Sequence, residues 1–207
     1  MTYRTYTTGY SLVEVLVAVS ILLLAIVGPM TIASQGIKSS TFSLEQNTAF
    51  FLAQEGVEAM FALRGDSALV EIDEEATGGG AGTAWDWIDD VLNGNGAGNG
   101  PCNITADGHT CSFGIDFSDE TIFNNFTPLC DSGNESNCLL YTDETNSRAV
   151  STHNSADDPS PYTRIITVTR KTDFAIEVSI EVSWSSHAFG DTQQTVTVTT
   201  DLFDLLL

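Results

Sequence analysis

Residues 12–33 read LVEVLVAVSILLLAIVGPMTIA. This run of about 22 residues is long enough for a helix to cross the ~30 Å hydrocarbon core of a bilayer. Its single charge is Glu14, close to its start, with Arg4 on the amino-terminal side and Lys38 beyond the far end. That bias points weakly to a cytoplasmic N-terminus. Three readings meet here. A buried helix of a soluble protein does not suit a run that is apolar on every face. A secretory signal cut near Ala33 has a shorter apolar core, ~7–15 residues, and Thr31-Ile32-Ala33 is a poor small-x-small site. A retained membrane helix fits both length and composition. A carboxylate inside such a helix is costly, so Glu14 calls either for a partner or for hydration at the interface.

The residues around Glu14 favour a partner. Gly9-Tyr10-Ser11-Leu12-Val13-Glu14, followed by the apolar helix, resembles the processing site of type IV prepilins, whose usual form is Gly-Phe-Thr-Leu-Ile-Glu. The resemblance covers the first fifth of the chain. It implies a leader of residues 1–9, cleavage between Gly9 and Tyr10, methylation of the new N-terminal Tyr10, and retention of Glu14 for assembly. Tyr10 stands where the family has phenylalanine, and Gly28-Pro29 lies slightly before the family's usual proline. The SLVEVLVA form of the motif and the segment LAQEGVEAM look more like a minor pilin than a major one. The chemistry of the motif is coherent: cleavage leaves an ammonium group on Tyr10, and that of one subunit can neutralise Glu14 of a neighbour inside a low-dielectric bundle.

Beyond residue 33 the helical pattern persists but turns amphipathic. Leu44, Phe51, Leu52, Val57, Met60, Phe61 and Leu63 recur at spacings of three and four, among Glu45, Gln46, Gln54, Glu55 and Glu58, the signature of one apolar stripe. Gly65-Asp66-Ser67 reads as the stop. A continuous helix over residues 10–64 is about 80 Å long; the alternative is two helices broken at Gly28-Pro29 or Ser39-Ser40.

The chain has 207 residues and a formal net charge of -21, from 28 Asp+Glu against 7 Lys+Arg. Most of that charge lies in residues 66–158, where 18 acidic residues face one basic residue, Arg148. Such a surface argues against nucleic-acid partners, because each phosphate contact requires a cation. Residues 77–83 and 93–101 are Gly/Asn-rich and read as loops; residues 83–94 between them read as a short helix with Thr83 as N-cap. Cys102, Cys111, Cys130 and Cys138 all fall in this region. An even, clustered set beyond a membrane segment reads as disulfides in an oxidising compartment. Of three connectivities, proximity favours Cys102–Cys111 with Cys130–Cys138. A zinc site and free thiols are the alternatives, and the intervals do not match zinc knuckles. Asp73-Glu74-Glu75, Asp116/Asp119/Glu120, Asp143-Glu144 and Asp157-Asp158 offer oxygen ligands for calcium, but none follows a calcium-loop pattern. A solvated acidic face is the reading, with no cofactor.

In the last fifty residues, Phe174, Ile176, Val178, Ile180, Val182 and Trp184 alternate with Ala175, Glu177, Ser179, Glu181 and Ser183, a half-buried strand. Residues 164–170 and 192–202 read as strands on either side, with turns at 171–173 and 188–191, giving an antiparallel meander. The expected fold is therefore α+β: a long N-terminal helix (residues 10–33 membrane, 34–65 amphipathic) packed on a C-terminal meander (161–207), with a loop-rich acidic middle (66–160). The apolar tail at 202–207 is expected to complete the core or dock on a neighbour.

No catalytic constellation emerges. His109, His153 and His187 are scattered and expected to be solvent-exposed, and residues 94–100 fail G-x-G-x-x-G at Asn99. Asn103, Asn125 and Asn134 begin glycosylation sequons by pattern only. The expectation is a non-enzymatic structural subunit. The resemblance implies a single-pass precursor in the cytoplasmic membrane with its head outside, meeting a prepilin peptidase, an inner-membrane assembly platform and other pilin subunits of a type IV pilus or secretion pseudopilus. The rival is a membrane-anchored acidic adhesion protein that does not polymerise.

Overall fold

The computed structural model describes residues 9, 11–77, 107–115, 126–128, 138–143, 150–153, 155, 157–172, 174–186, 190 and 192–203. Tyr10, the short helix expected at 83–94, Cys102, Cys130, Arg148, His187 and the tail after residue 203 lie outside them. The chain divides into two compact units, Met1–Leu44 and Glu45–Leu207.

One helix, α1 (Leu12–Thr77), begins in the first unit and ends in the second. It starts where the Ser11 carbonyl accepts the N–H of Glu14 at 2.9 Å and of Val15 at 3.2 Å. Gly28 and Pro29 do not break it: Pro29 lies inside the helix, and Ser39-Ser40 is helical too, so the helix is continuous and the alternative of a break at Gly28-Pro29 or Ser39-Ser40 is not seen. A proline deletes one backbone donor, but neighbouring turns and hydroxyls can keep an apolar helix intact when its other polar groups have no better partner. Ser20 and Thr31 turn their hydroxyls back onto the carbonyls of Leu16 (2.8 Å) and Val27 (2.7 Å), so neither is left unbonded. The stop expected at Gly65 is also corrected, since α1 continues to Thr77. A single glycine costs a helix only about 1 kcal/mol, and the turns that flank Gly65 outweigh it.

In the second unit, α1 buries Ala49, Ala53, Gly56, Ala59, Met60 and Leu63 on one stripe. The small residues let the helix approach the sheet closely. A methyl group added at Gly56 would stand 3.2 Å and 3.3 Å from the Ile180 side chain and 3.6 Å from Cδ of Arg164.

Among the described residues the sheet has seven antiparallel strands: β1 (Thr110–Ile115), β2 (Phe126–Pro128), β3 (Leu139–Asp143), β4 (Val150–Thr152), β5 (Asp158–Thr172), β6 (Ala175–Ser186) and β7 (Thr192–Phe203). The expected meander is β5-β6-β7, with β6 and β7 near their predicted bounds and β5 starting six residues before the expected 164, at Asp158. The middle region, expected as loops, adds β1–β4. β5 organises the sheet. One edge pairs with β6 from Tyr162 to Thr172. The other pairs with β1 at Ile166–Thr169 and with β3 at Asp158–Thr163. The hairpins β1–β2 and β3–β4 therefore lie end to end along the same edge.

Alternation decides the faces. Ile176, Val178, Ile180, Val182 and Trp184 of β6 are buried, as are Ile166 and Val168 of β5, Phe113 and Ile115 of β1, Leu140 of β3 and Leu202 of β7. Phe174, expected to join this set, is 41% exposed, because β6 starts after it. Gly108, ahead of β1, and Gly190, ahead of β7, take φ of +81° and +78°, a backbone that glycine adopts without strain.

Candidate functional site

The motif residues cluster at the start of α1. Gly9 and Ser11 lie just before the helix, and Glu14 occupies its first turn, where a carboxylate also complements the helix dipole. Tyr10 lies outside the described residues. The helix that follows is apolar enough over Leu12–Gly65 to cross a membrane, and its most apolar window has no buried residue. Leu24 is 76% exposed and Met30 72%. This is compatible with a single-pass membrane anchor. An uncovered apolar surface of this length needs lipid or protein against it.

The second unit carries apolar side chains away from its own core as well. Leu44, at the end of the first unit, and Phe50, Phe51 and Phe61, in the second, are exposed. The buried stripe at Ala49, Ala53, Gly56 and Leu63 is thus accompanied by a second apolar surface that the sheet does not cover.

Three polar clusters fix the helix on the sheet. Arg164 of β5 is fully buried: Nη1 donates to Glu55 Oε2 at 2.8 Å and to the Leu52 carbonyl at 3.2 Å, and Nη2 donates to the Ile115 carbonyl at 3.2 Å. One guanidinium thereby joins α1, β5 and β1. Glu45 Oε2 accepts the Ser186 hydroxyl at 2.7 Å and the Trp184 indole N–H at 3.3 Å, while the Tyr162 hydroxyl donates to the Glu45 carbonyl at 3.3 Å. Burial pushes the Tyr162 phenol up, with the Glu45 charge adding to the rise and a hydrogen bond with Thr48 opposing it. Arg64 stacks 5.0 Å over the Phe61 ring and donates to the Phe203 carbonyl at 3.4 Å. None of these clusters was legible in the sequence, because each joins residues more than 100 positions apart.

The acidic residues expected as a solvated face serve local roles where described. Asp157 accepts the Thr152 hydroxyl at 2.8 Å, and Asp107 pairs with Arg170 at 3.3 Å. Lys171 bridges Glu177 (2.6 Å) and Asp201 (3.2 Å), which hold its amine above the ordinary value of 10.5. Among the described residues no three His, Cys, Asp or Glu side chains could hold a metal ion together. His109 is exposed. His153 is not, which corrects the expectation for it: its ring covers Gly114 and its Nδ1 lies 3.1 Å from the Leu139 carbonyl, between the two hairpins. Cys111 on β1 and Cys138 ahead of β3 are disulfide-bonded. Cys102 and Cys130 lie outside the described residues. Comparison with protein-family profiles, curated proteins and solved structures returned no match for the chain.

Proposed function

We propose that this chain is a pilin-like structural subunit, of the minor type, of a type IV pilus or a related secretion pseudopilus. In this reading a prepilin peptidase removes residues 1–9, Tyr10 becomes the methylated N-terminus, and the assembly platform extracts the subunit from the cytoplasmic membrane into a filament of other pilin subunits. The observation that carries the reading is the joint presence of Gly9, Ser11 and Glu14 at the head of a helix whose most apolar window has no buried residue among the described residues. In the second unit, Phe50, Phe51 and Phe61 are exposed as well. Glu14 is the one charge in residues 12–33 and is neutralised by the Tyr10 ammonium of a neighbouring subunit. The acidic head, outside the cytoplasm, is stapled by Cys102–Cys111 and Cys130–Cys138, each closing a short loop worth about 2–3 kcal/mol.

Mass spectrometry of the mature N-terminus tests this directly. A chain beginning at methylated Tyr10 is the expected result. A chain found only in membranes with residues 1–9 still attached refutes it and favours the rival, a non-polymerising surface-binding protein held by the same helix.

A further inference from the structure

β7 is the outermost strand of the sheet and pairs only with β6 among the described residues. Its twelve residues run in unbroken register against β6, with no bulge. Long exposed edge strands are usually blunted by lysine, proline, a bulge or inward charge, because their free backbone groups template another strand. β7 has none of these devices. Its one charge, Asp201, is already paired with Lys171. In a chain of net charge -21, the eight residues 193–200, QQTVTVTT, carry no charge at all.

The pattern within that span is also self-complementary. Thr195, Thr197 and Thr199 lie exposed on the outer face, and Val196 and Val198 point to the core face. Those valines are only half-buried, whereas Val182 and Ile180 opposite them on β6 are fully buried; cover on the core face thins out at β7. From the edge and its pattern we infer that β7 pairs antiparallel with β7 of a second copy of this chain about a two-fold axis through Thr197. That register sets Thr197 against Thr197, Thr195 against Thr199 and Val196 against Val198. Over residues 195–199 both faces then match, hydroxyl to hydroxyl and valine to valine, and the core-face valines gain neighbours. Asp201 meets the uncharged Gln193 rather than another carboxylate. Shifting the axis by one residue, to Val198, sets Thr195 against Asp201 and Gln194 against Leu202, which mismatches both faces. The pairing joins sheet units, not membrane helices, so it stands or falls independently of the filament reading.

The test is register-specific thiol cross-linking of the full-length chain in detergent micelles and in native membranes. Opposed residues on paired strands have Cβ atoms about 4.5–5.5 Å apart, whereas in this register two copies of residue 195 are about 14 Å apart. With a short bifunctional thiol reagent, Thr197→Cys should form dimers about tenfold more efficiently than Thr195→Cys or Thr199→Cys alone. A mixture of the Thr195→Cys and Thr199→Cys chains should recover the Thr197→Cys yield. All three positions are exposed, so folding is spared, and unchanged exchange of β6 amides confirms it. Equal yields at the three positions, or no dimer with Thr197→Cys in either setting, overturn the inference. Helix-driven association in the membrane gives the first of those results and not the expected pattern.

Discussion

Arg164 is the cation around which α1 and the sheet are registered, and the asymmetry of its pair with Glu55 allows a quantitative forecast. The arginine side chain is fully buried and the glutamate side chain 34% exposed. Replacing Glu55 by leucine takes from a buried guanidinium the carboxylate that pairs with it at 2.8 Å and keeps the Leu52 and Ile115 carbonyls as acceptors. Breaking a buried pair in this way costs about 3–5 kcal/mol, and the two remaining carbonyls place Glu55→Leu near 3. Arg164→Met is milder. Methionine keeps much of the stem volume, and the freed carboxylate can turn to water. The main loss is the donor to the Ile115 carbonyl, worth about 1–2 kcal/mol. In the double variant no charge is stranded, and the cost falls to about 1 kcal/mol. The coupling between the two sites is therefore at least about 2 kcal/mol and favourable. Urea unfolding of the full-length chain in micelles, with exchange of β5 and β6 amides as the local readout, gives all four corners of the cycle. Additive losses, or Arg164→Met as the most damaging change, would refute the assignment of Arg164 as a buried cation held by Glu55.

Other substitutions probe the close approaches and the exposed ion pairs. Gly56→Ala should leave stability within about 1 kcal/mol of wild type, since the gain in helix propensity offsets a methyl that sits 3.2 Å from Ile180; Gly56→Leu should cost more than about 2 kcal/mol in the same unfolding assay. Gly114→Ala places its methyl 2.7 Å from His153 Nε2, so it should destabilise by about 1–2 kcal/mol and be partly rescued by His153→Ala. At alkaline pH, Lys171 and Tyr162 act in the same direction: both have folded values raised above the ordinary 10.5 and 10.0. Their stabilisation is complete below those values and is lost as pH rises through the raised ones. Lys171→Met and Tyr162→Phe should each flatten the alkaline limb of a stability–pH curve while leaving its neutral region without slope. In filament fractions, Glu14→Leu should reduce incorporation of the subunit; wild-type incorporation would sink the role proposed for that carboxylate.

The sequence carried the helix and the meander because both rest on periodicity. Alternation at Ile176–Trp184 reappears as one face of the core, but of the apolar stripe read on the helix only Met60 and Leu63 are buried, whereas Leu44, Phe51 and Phe61 are exposed and the small residues Ala49, Ala53, Gly56 and Ala59 face the core instead. What escaped was short or distant. In β1, Cys111, Phe113 and Ile115 alternate with Thr110, Ser112 and Gly114, a readable signal over six residues that the surrounding Gly, Asn and acidic residues masked. β2 and β4 have three residues each, too few for any period to register. Gly65 read as a stop because a glycine after an amphipathic stripe usually ends a helix. The buried Arg164 looked like one member of an ordinary strand, since nothing local distinguishes an arginine that will meet Glu55 from one that faces water. The processing motif at Gly9–Glu14 lies wholly in the sequence, and its reading as a prepilin site rests there.

The sharing of one edge of β5 by two hairpins gives the head an unusual tolerance. The fifteen residues of β5 hold β1 at Ile166–Thr169 and β3 at Asp158–Thr163, each through its own pairs. Neither hairpin sets the register of the other, and neither sets the register of β6 and β7. Changes in the pairing of one hairpin with β5 therefore need not re-thread the other, nor the β5–β6–β7 meander. Each hairpin can diverge on its own schedule while the strands that seat the helix stay fixed.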